Sequence, residues 1–252
     1  MKRLVLLDEA DADEAPASPV AAEILRRAQI AGAQCVRVAV GDPAAGPRVA
    51  AALADAGAAW VACPSLARAL DRALGWLDAH LPVDSPGMIC CHAASLTLSV
   101  ARLATPERMT GFALLPPARA RTTVECARAR QTSDAAAAAA EAAWQALGLT
   151  PVWVGDVAGL VMPRIVAALA NEAAFAVMEG TATAADIDNA MRLGTRYPIG
   201  PLRWADQIGL PSVVATLDAL AVESGPERYR AAPLLRRMAA AGERWFPSEE
   251  NA

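Results

Sequence analysis

The stretch from Gly159 to Trp204 constrains the fold more than any other part of the chain. From Leu160 to Met178 the residues are apolar except for Arg164, Asn171 and Glu172, and Gly180 closes the run. At 1.5 Å per residue this is a helix of about 30 Å. It is too apolar for a surface helix and too interrupted for a membrane span. It is therefore expected to be buried at the centre of an all-helical unit. Thr183 stands three residues before Asp186, an acidic variant of the capping box. That pair predicts a short helix through Ile187, Ala190 and Met191, ending at Gly194. Pro198 and Pro201 keep the segment between them out of the helical region. A third helix is expected over Leu202 to Ile208, and Pro211 opens a fourth.

The chain has 252 residues, enough for one large or two modest domains with ample core. Hydrophobic residues make up 55% but aromatics only 4%, so alanine carries much of the apolar surface, as suits close-packed helices. The net charge of −4 argues against a nucleic-acid partner. Five cysteines without C-x-x-C spacing argue against disulfides and against zinc, and no metal is expected. The opening MKRLVLLDEAD is too short an apolar run for a signal peptide, and no stretch reaches membrane-spanning length. The expectation is a soluble, reduced, cytoplasmic protein with no membrane partner.

The N-terminal half alternates strand and helix signals. Leu4–Leu7 is a short buried strand, Pro19–Ala31 a helix with Ile24 and Leu25 inward, and Cys35–Val40 a second strand. Pro47–Ala56 is a helix, Ala58–Cys63 a strand, and Ala67–His80 an amphipathic helix carrying Leu70, Leu74 and Leu77. His80 falls at its C-terminus, where a cation suits the helix dipole. Cys90 and Cys91 belong to a further buried strand. Thr132 or Ser133 caps a long alanine helix that stops at Gly148, and Pro151–Gly155 is the last strand. Such alternation without hairpin turns predicts a parallel sheet, a Rossmann-like α/β domain over 1–157 followed by an all-α domain over 158–252.

Three sets of residues tie this layout to a known family. Asn171-Glu-Ala173 is followed by the run Glu179–Gly194 and then by Pro198-Ile-Gly-Pro-Leu202 with Ala205-Asp206 and Ile208-Gly-Leu210. That order resembles the C-terminal domain of the L-3-hydroxyacyl-CoA dehydrogenase family, which includes the 3-hydroxybutyryl-CoA dehydrogenases. The resemblance implies a helical domain that dimerises and walls an acyl-CoA cleft.

In the N-terminal half the resemblance continues with substitutions. Family members follow the first strand with a G-x-G-x-M-G loop, whose glycines let a dinucleotide diphosphate approach the backbone. Here residues 8–14 read Asp-Glu-Ala-Asp-Ala-Asp-Glu, five carboxylates without a glycine. Each repels phosphate by about 1 kcal/mol per close pair. Taken by themselves, these residues read as a solvated acidic loop. NAD is therefore not expected in the usual pose. Asp42, after the second strand, is the candidate for a ribose hydroxyl contact.

Cys91-His-Ala-Ala-Ser-Leu96 resembles the family's loop S-N-T-S-S-L. His92 then stands for the active-site Asn and Ala94 for the Ser that meets the substrate hydroxyl, while Ser95 remains as a substrate-binding candidate. Pro106-Glu-Arg108, Gly111 and Pro117 fix the register of a second motif. They put the family's catalytic His on Ala113 and its Asn on Pro116. Glu125 occupies the place of the Glu that pairs with that His, and either it lacks a cation or Arg119, Arg121 or Arg128 supplies one. A third Asn falls on Pro163, beside a retained Arg164 expected in a structural ion pair.

Oxidation of a 3-hydroxyl by hydride transfer needs a base of near-neutral pKa to take the hydroxyl proton. Alanine cannot serve. The first functional expectation is a family member that is non-catalytic or weakly active. It would bind acyl-CoA or act as a structural subunit, as a homodimer through the helical domain or beside an active dehydrogenase paralogue. A second is an acyl-CoA enzyme of altered chemistry, with His92 as relocated base and Glu125 orienting it. A third is an active NAD-dependent 3-hydroxyacyl-CoA dehydrogenase with unconventional cofactor contacts.

Overall fold

The computed structural model describes residues 3–8, 18–40, 43–62, 67–117 and 122–247. The chain divides into two compact units, Met1–Leu160 and Val161–Ala252. The first unit is built in the order β1 (Arg3–Asp8), α1 (Pro19–Ile30), β2 (Cys35–Ala39), α2 (Gly46–Leu53), β3 (Ala56–Ala62), α3 (Ala67–His80) and β4 (Gly87–Cys90). It continues with α4 (Leu96–Val100), β5 (Met109–Ala113), β6 (Thr123–Arg128), α5 (Asp134–Ala146) and β7 (Thr150–Val154). The strands form one seven-stranded sheet in the order β2-β1-β3-β4-β5-β6-β7.

Strand alternation sends side chains to two separate cores. On one face Val5, Leu7, Val61, Ile89 and Ala113 pack with Val49, Leu53, Leu74, Leu77 and Leu96 from α2, α3 and α4. On the other, Leu4, Leu6, Trp60, Met88 and Phe112 pack with Ile24 of α1 and Trp144 of α5. The Trp144 ring lies 5.6 Å from that of Trp60 and 5.0 Å from that of Phe112. With both faces covered, the central strands β3 and β4 are apolar throughout and β1 is apolar from Leu4 to Leu7, as the short unbroken runs predicted.

The sheet is not wholly parallel. β6 runs antiparallel to β5, and β7 is parallel to β6. The connection from Leu114 to Thr122 is too short for a parallel crossover, so the chain returns alongside itself. β3 begins at Ala56, where the sequence suggested the end of a helix. Ser133 is the cap of α5, accepting the Ala136 N–H at 3.1 Å.

Arg108 of the Pro-Glu-Arg motif is 7% exposed and holds the end of α3. Its guanidinium donates to the carbonyls of Asp78, Leu81 and Pro82 and to the Thr105 hydroxyl. The Asp78 carboxylate in turn accepts the N–H groups of Ala104 and Thr105.

The second unit contains α6 (Met162–Met178), α7 (Ala184–Thr195), α8 (Pro201–Ile208), α9 (Leu210–Ser224), α10 (Pro226–Tyr229) and α11 (Pro233–Ala241). α6 touches α7, α8, α9 and α11 and so is central. It is not wholly enclosed, since Ile165 is 46% and Met178 40% exposed. Asn171 spans to the chain before α11, donating to the Arg230 carbonyl at 3.0 Å and accepting the Ala232 N–H at 2.7 Å. Arg164 donates to the Tyr229 hydroxyl at 2.9 and 3.1 Å, so its described partner is a phenol where a carboxylate was expected. Thr183 caps α7 as anticipated, accepting from the Asp186 N–H at 3.2 Å. The helix runs past Gly194 to Thr195, and Arg196 after it adopts φ 56° and caps it. Among the described residues no single helix is long and apolar enough to cross a membrane.

The Pro-Ile-Gly-Pro segment has a steric reason for its glycine. Asp188 accepts the N–H groups of Leu202 and Arg203, both at 2.9 Å, and so caps α8. A Cβ on Gly200 would stand 2.1 Å from the Asp188 Cγ. Gly200→Ala must push that cap away, at a cost of about 2–4 kcal/mol from lost capping plus overpacking. Urea unfolding followed by tryptophan fluorescence will show the loss as a lower midpoint at unchanged slope.

Candidate functional site

The places assigned to family chemistry in the first unit gather at one end of the sheet. The carboxyl ends of β4 and β5 and the start of the antiparallel β6 lie together there. Ala113 and Glu125 are direct Cα partners across the β5–β6 pair. Both project to the face that carries Ile89 and Cys91, by alternation with Ala127. The register read from the Pro-Glu-Arg motif thus puts the expected His–Glu positions opposite one another. Opposite the half-buried Glu125 stands an alanine, and Ala113 is only 4% exposed.

Arg128 is not the replacement cation. It lies an odd number of residues from Glu125, on the opposite face, where it pairs with Asp134 at 2.5 Å and covers the Trp153 ring at 5.2 Å. Arg119 and Arg121 lie outside the described residues.

His92 follows β4 by two residues and is 2% exposed. Burial lowers its pKa to about 4, and its Nε2 has no hydrogen-bond partner among the described residues. The ring is therefore neutral at physiological pH and a weak base. Ser95 is 8% exposed and donates its hydroxyl to Asp156 Oδ2 at 3.1 Å. Asp156 also accepts the N–H groups of Leu96 and Thr97, both at 2.7 Å. Asp156 thus caps α4, and the Ser95 proton is committed to it. Nothing local in the sequence signalled this link, which joins residues about sixty positions apart.

At the other half of the sheet, β1 sits between β2 and β3, so the strand order reverses beside it. In open α/β sheets the crevice outside such a reversal takes the ligand. Asp8, the last residue of β1, is fully buried, with its Oδ2 3.0 Å from Arg37 Nε on β2. The first of the five carboxylates is therefore an interior ion pair, where a solvated loop was expected. A buried carboxylate at this point does not fit a dinucleotide diphosphate. Residues 9–17 and Asp42, the ribose candidate, lie outside the described residues. Pro163 is buried in the first turn of α6, in the second unit.

The described cysteines Cys35, Cys90, Cys91 and Cys126 form no disulfide among themselves. Burial pushes the Cys35 thiol up to about 11 and that of Cys126 up to about 12, and holds Cys91 well above the usual range. None of these three is a nucleophile at neutral pH. Among the described residues no three His, Cys, Asp or Glu side chains are grouped to hold a metal ion.

Residues 159–245 match the family described as 3-hydroxyacyl-CoA dehydrogenase, C-terminal domain. The probable 3-hydroxybutyryl-CoA dehydrogenase of Deinococcus radiodurans is 36% identical over 162 residues, which cover 64% of this chain and 58% of that protein. Its counterpart in Bacillus subtilis is 36% identical over 137 residues, 54% of this chain and 48% of that protein. The chain thus spans about half the length of these relatives. The crystal structure of (S)-3-hydroxybutyryl-CoA dehydrogenase from Ralstonia eutropha superposes with a TM-score of 0.74 at 25% identity, covering 95% of this chain and 94% of that one.

The buried imidazole gives a pH dependence whose sign is fixed. Between about pH 6.5 and 4 the unfolded chain binds a proton at His92 that the folded chain refuses. Stability from this group is complete above 6.5 and falls as the pH drops toward 4, by about 3 kcal/mol in all. Chemical denaturation across that window, for wild type and His92→Gln, will show a steeper acid loss in the wild type.

Proposed function

Because the chain belongs to the 3-hydroxyacyl-CoA dehydrogenase family, we propose that it keeps the family's fold and an acyl-CoA-binding role without efficient hydride transfer. The observation that carries this reading is Ala113 standing opposite Glu125. A carboxylate is kept, and the group that should take the substrate proton is a methyl. The loss amounts to the general base, a contribution of about 10²–10⁴ in rate. His92 does not make it good. A ring with a pKa of about 4 draws a proton from an alcohol too weakly at neutral pH. Asp8, buried at the reversal of strand order, stands against NAD in the customary pose.

The protein is proposed to act as a homodimer formed through the helical unit, or as a structural or regulatory subunit beside an active dehydrogenase. Support for an interface comes from Val161, Ile165 and Met178, large apolar residues 40–46% exposed at the two ends of α6.

Two measurements test this. Mixing the purified protein with acetoacetyl-CoA and NADH should give no sustained loss of NADH absorbance, while calorimetry should give a saturable acyl-CoA isotherm. Sustained turnover overturns the non-catalytic reading, and a flat acyl-CoA titration overturns the binding role. Sedimentation should report a dimer at micromolar concentration, and a monomer there removes the homodimer.

A further inference from the structure

The chain leaves the sheet unit tied to the loop that carries two of the candidate site residues. That loop, residues 91–97, runs from the end of β4 into the first turn of α4 and holds His92 and Ser95. The outgoing segment, residues 155–160, follows β7 and ends the first unit. Asp156 uses both carboxylate oxygens on the loop. Its Oδ1 accepts the Leu96 N–H at 2.7 Å, and its Oδ2 accepts the Thr97 N–H at 2.7 Å and the Ser95 hydroxyl at 3.1 Å. Three residues on, the Gly159 N–H donates to the Cys91 carbonyl at 2.9 Å. Leu160 then joins the apolar cluster that contains Cys91 and Leu96.

The outgoing segment is strained where it is tied. Gly159 has φ 73° and Leu160 φ 43°, and the left-handed region is unfavourable for a residue with a Cβ. Such a residue persists only where its surroundings over-determine it. Here the Cys91 carbonyl holds the backbone just before it, and the apolar cluster holds its side chain. Cys91 is itself fixed from the other side, its N–H donating to the Phe112 carbonyl of β5 at 2.8 Å. Hydrogen bonds to a carboxylate are about twice as strong as neutral ones, so Asp156 dominates this set of ties.

We infer that Asp156 is a positioning residue: it makes the 91–97 loop and the 155–160 segment one cooperative unit. The loop then cannot open without the chain's exit opening with it. His92 and Ser95 are held in place by a residue about sixty positions later, and not by β4 alone. The ties are independent of the family reading, and only the use of this loop by acyl-CoA rests on the proposed function.

Amide hydrogen exchange of the full chain, resolved by residue, tests the coupling, with Val61 of β3 reporting global opening. In the wild type Leu96, Thr97 and Gly159 should share one opening free energy, lower than that of Val61. Asp156→Asn sets an NH2 group where one acceptor was. It should speed Leu96, Thr97 and Gly159 by a common factor, roughly ten- to a hundredfold. Gly159 is decisive, because its own acceptor on Cys91 is untouched by the substitution. A Gly159 amide that keeps its wild-type rate while the other two accelerate overturns the inference. So does a wild type in which Gly159 opens only together with Val61. If Asp156→Asn does not fold, Ser95→Ala decides, since it removes one donor of three. It should speed the same three amides by a smaller factor, and an unmoved Gly159 again overturns the coupling. Calorimetry with acetoacetyl-CoA adds the site readout: Asp156→Asn should bind roughly tenfold more weakly than wild type, and equal affinity overturns the positioning role. A flat wild-type titration removes the acyl-CoA reading and leaves the exchange result to decide this one.

Discussion

The register of β5 against β6 governs what this end of the sheet can do. Opposed residues in an antiparallel pair hold their Cβ atoms about 5 Å apart, near enough for a side chain on one strand to set the environment of the other. A slip of one residue would turn Glu125 to the opposite face, toward Trp144 and Phe112, where a carboxylate has no place. Apolar packing on both faces of the sheet therefore fixes the Ala113–Glu125 pair as firmly as any local bond. On the proposed family reading the likeness and the chemistry diverge at this point: the scaffold that presents two side chains to each other is intact, and one of the two is truncated.

Buried or half-buried carboxylates recur in the structure as anchors for free backbone N–H groups. Asp78 holds Ala104 and Thr105, Asp156 holds Leu96 and Thr97, Asp188 holds Leu202 and Arg203, and Asp206 holds Trp245 and Phe246. Each joins segments distant in the chain, and each satisfies donors that a turn or helix start leaves open. The balance differs from site to site. Burial raises the Asp78 carboxyl, but the Thr105 hydroxyl and two backbone donors outweigh it and the pKa is lowered. At Asp206 burial prevails over its two donors and the pKa is raised. An acidic chain of this kind spends part of its negative charge on architecture.

Much of the fold was legible because its signals are local. Apolar runs marked the strands, Thr183 and Ser133 marked helix starts, and the prolines around Gly200 broke the chain where a loop was needed. The family resemblance also implied that Ala113 and Glu125 stand together, and the strand register sets them opposite one another. What could not be read depends on partners far apart in sequence. The reversal of β6 follows from a short connection, and the hydroxyl bond that occupies Ser95 comes from Asp156. The burial of Asp8 is set by Arg37 on the neighbouring strand. An aspartate in a run of acids looks solvated until the sheet closes over it.

Leu160 carries a last consequence. It is the final residue of the first unit, 1% exposed among the apolar side chains that line α2, α3 and α4, and it holds φ 43°, rare for a residue with a Cβ. The preceding Gly159 donates its N–H to the Cys91 carbonyl at 2.9 Å. Leu160 is thus a plug driven into the sheet domain. Anyone dividing the gene to express the halves separately must leave this leucine with the sheet, because a cut only a few codons earlier would unstopper its interior.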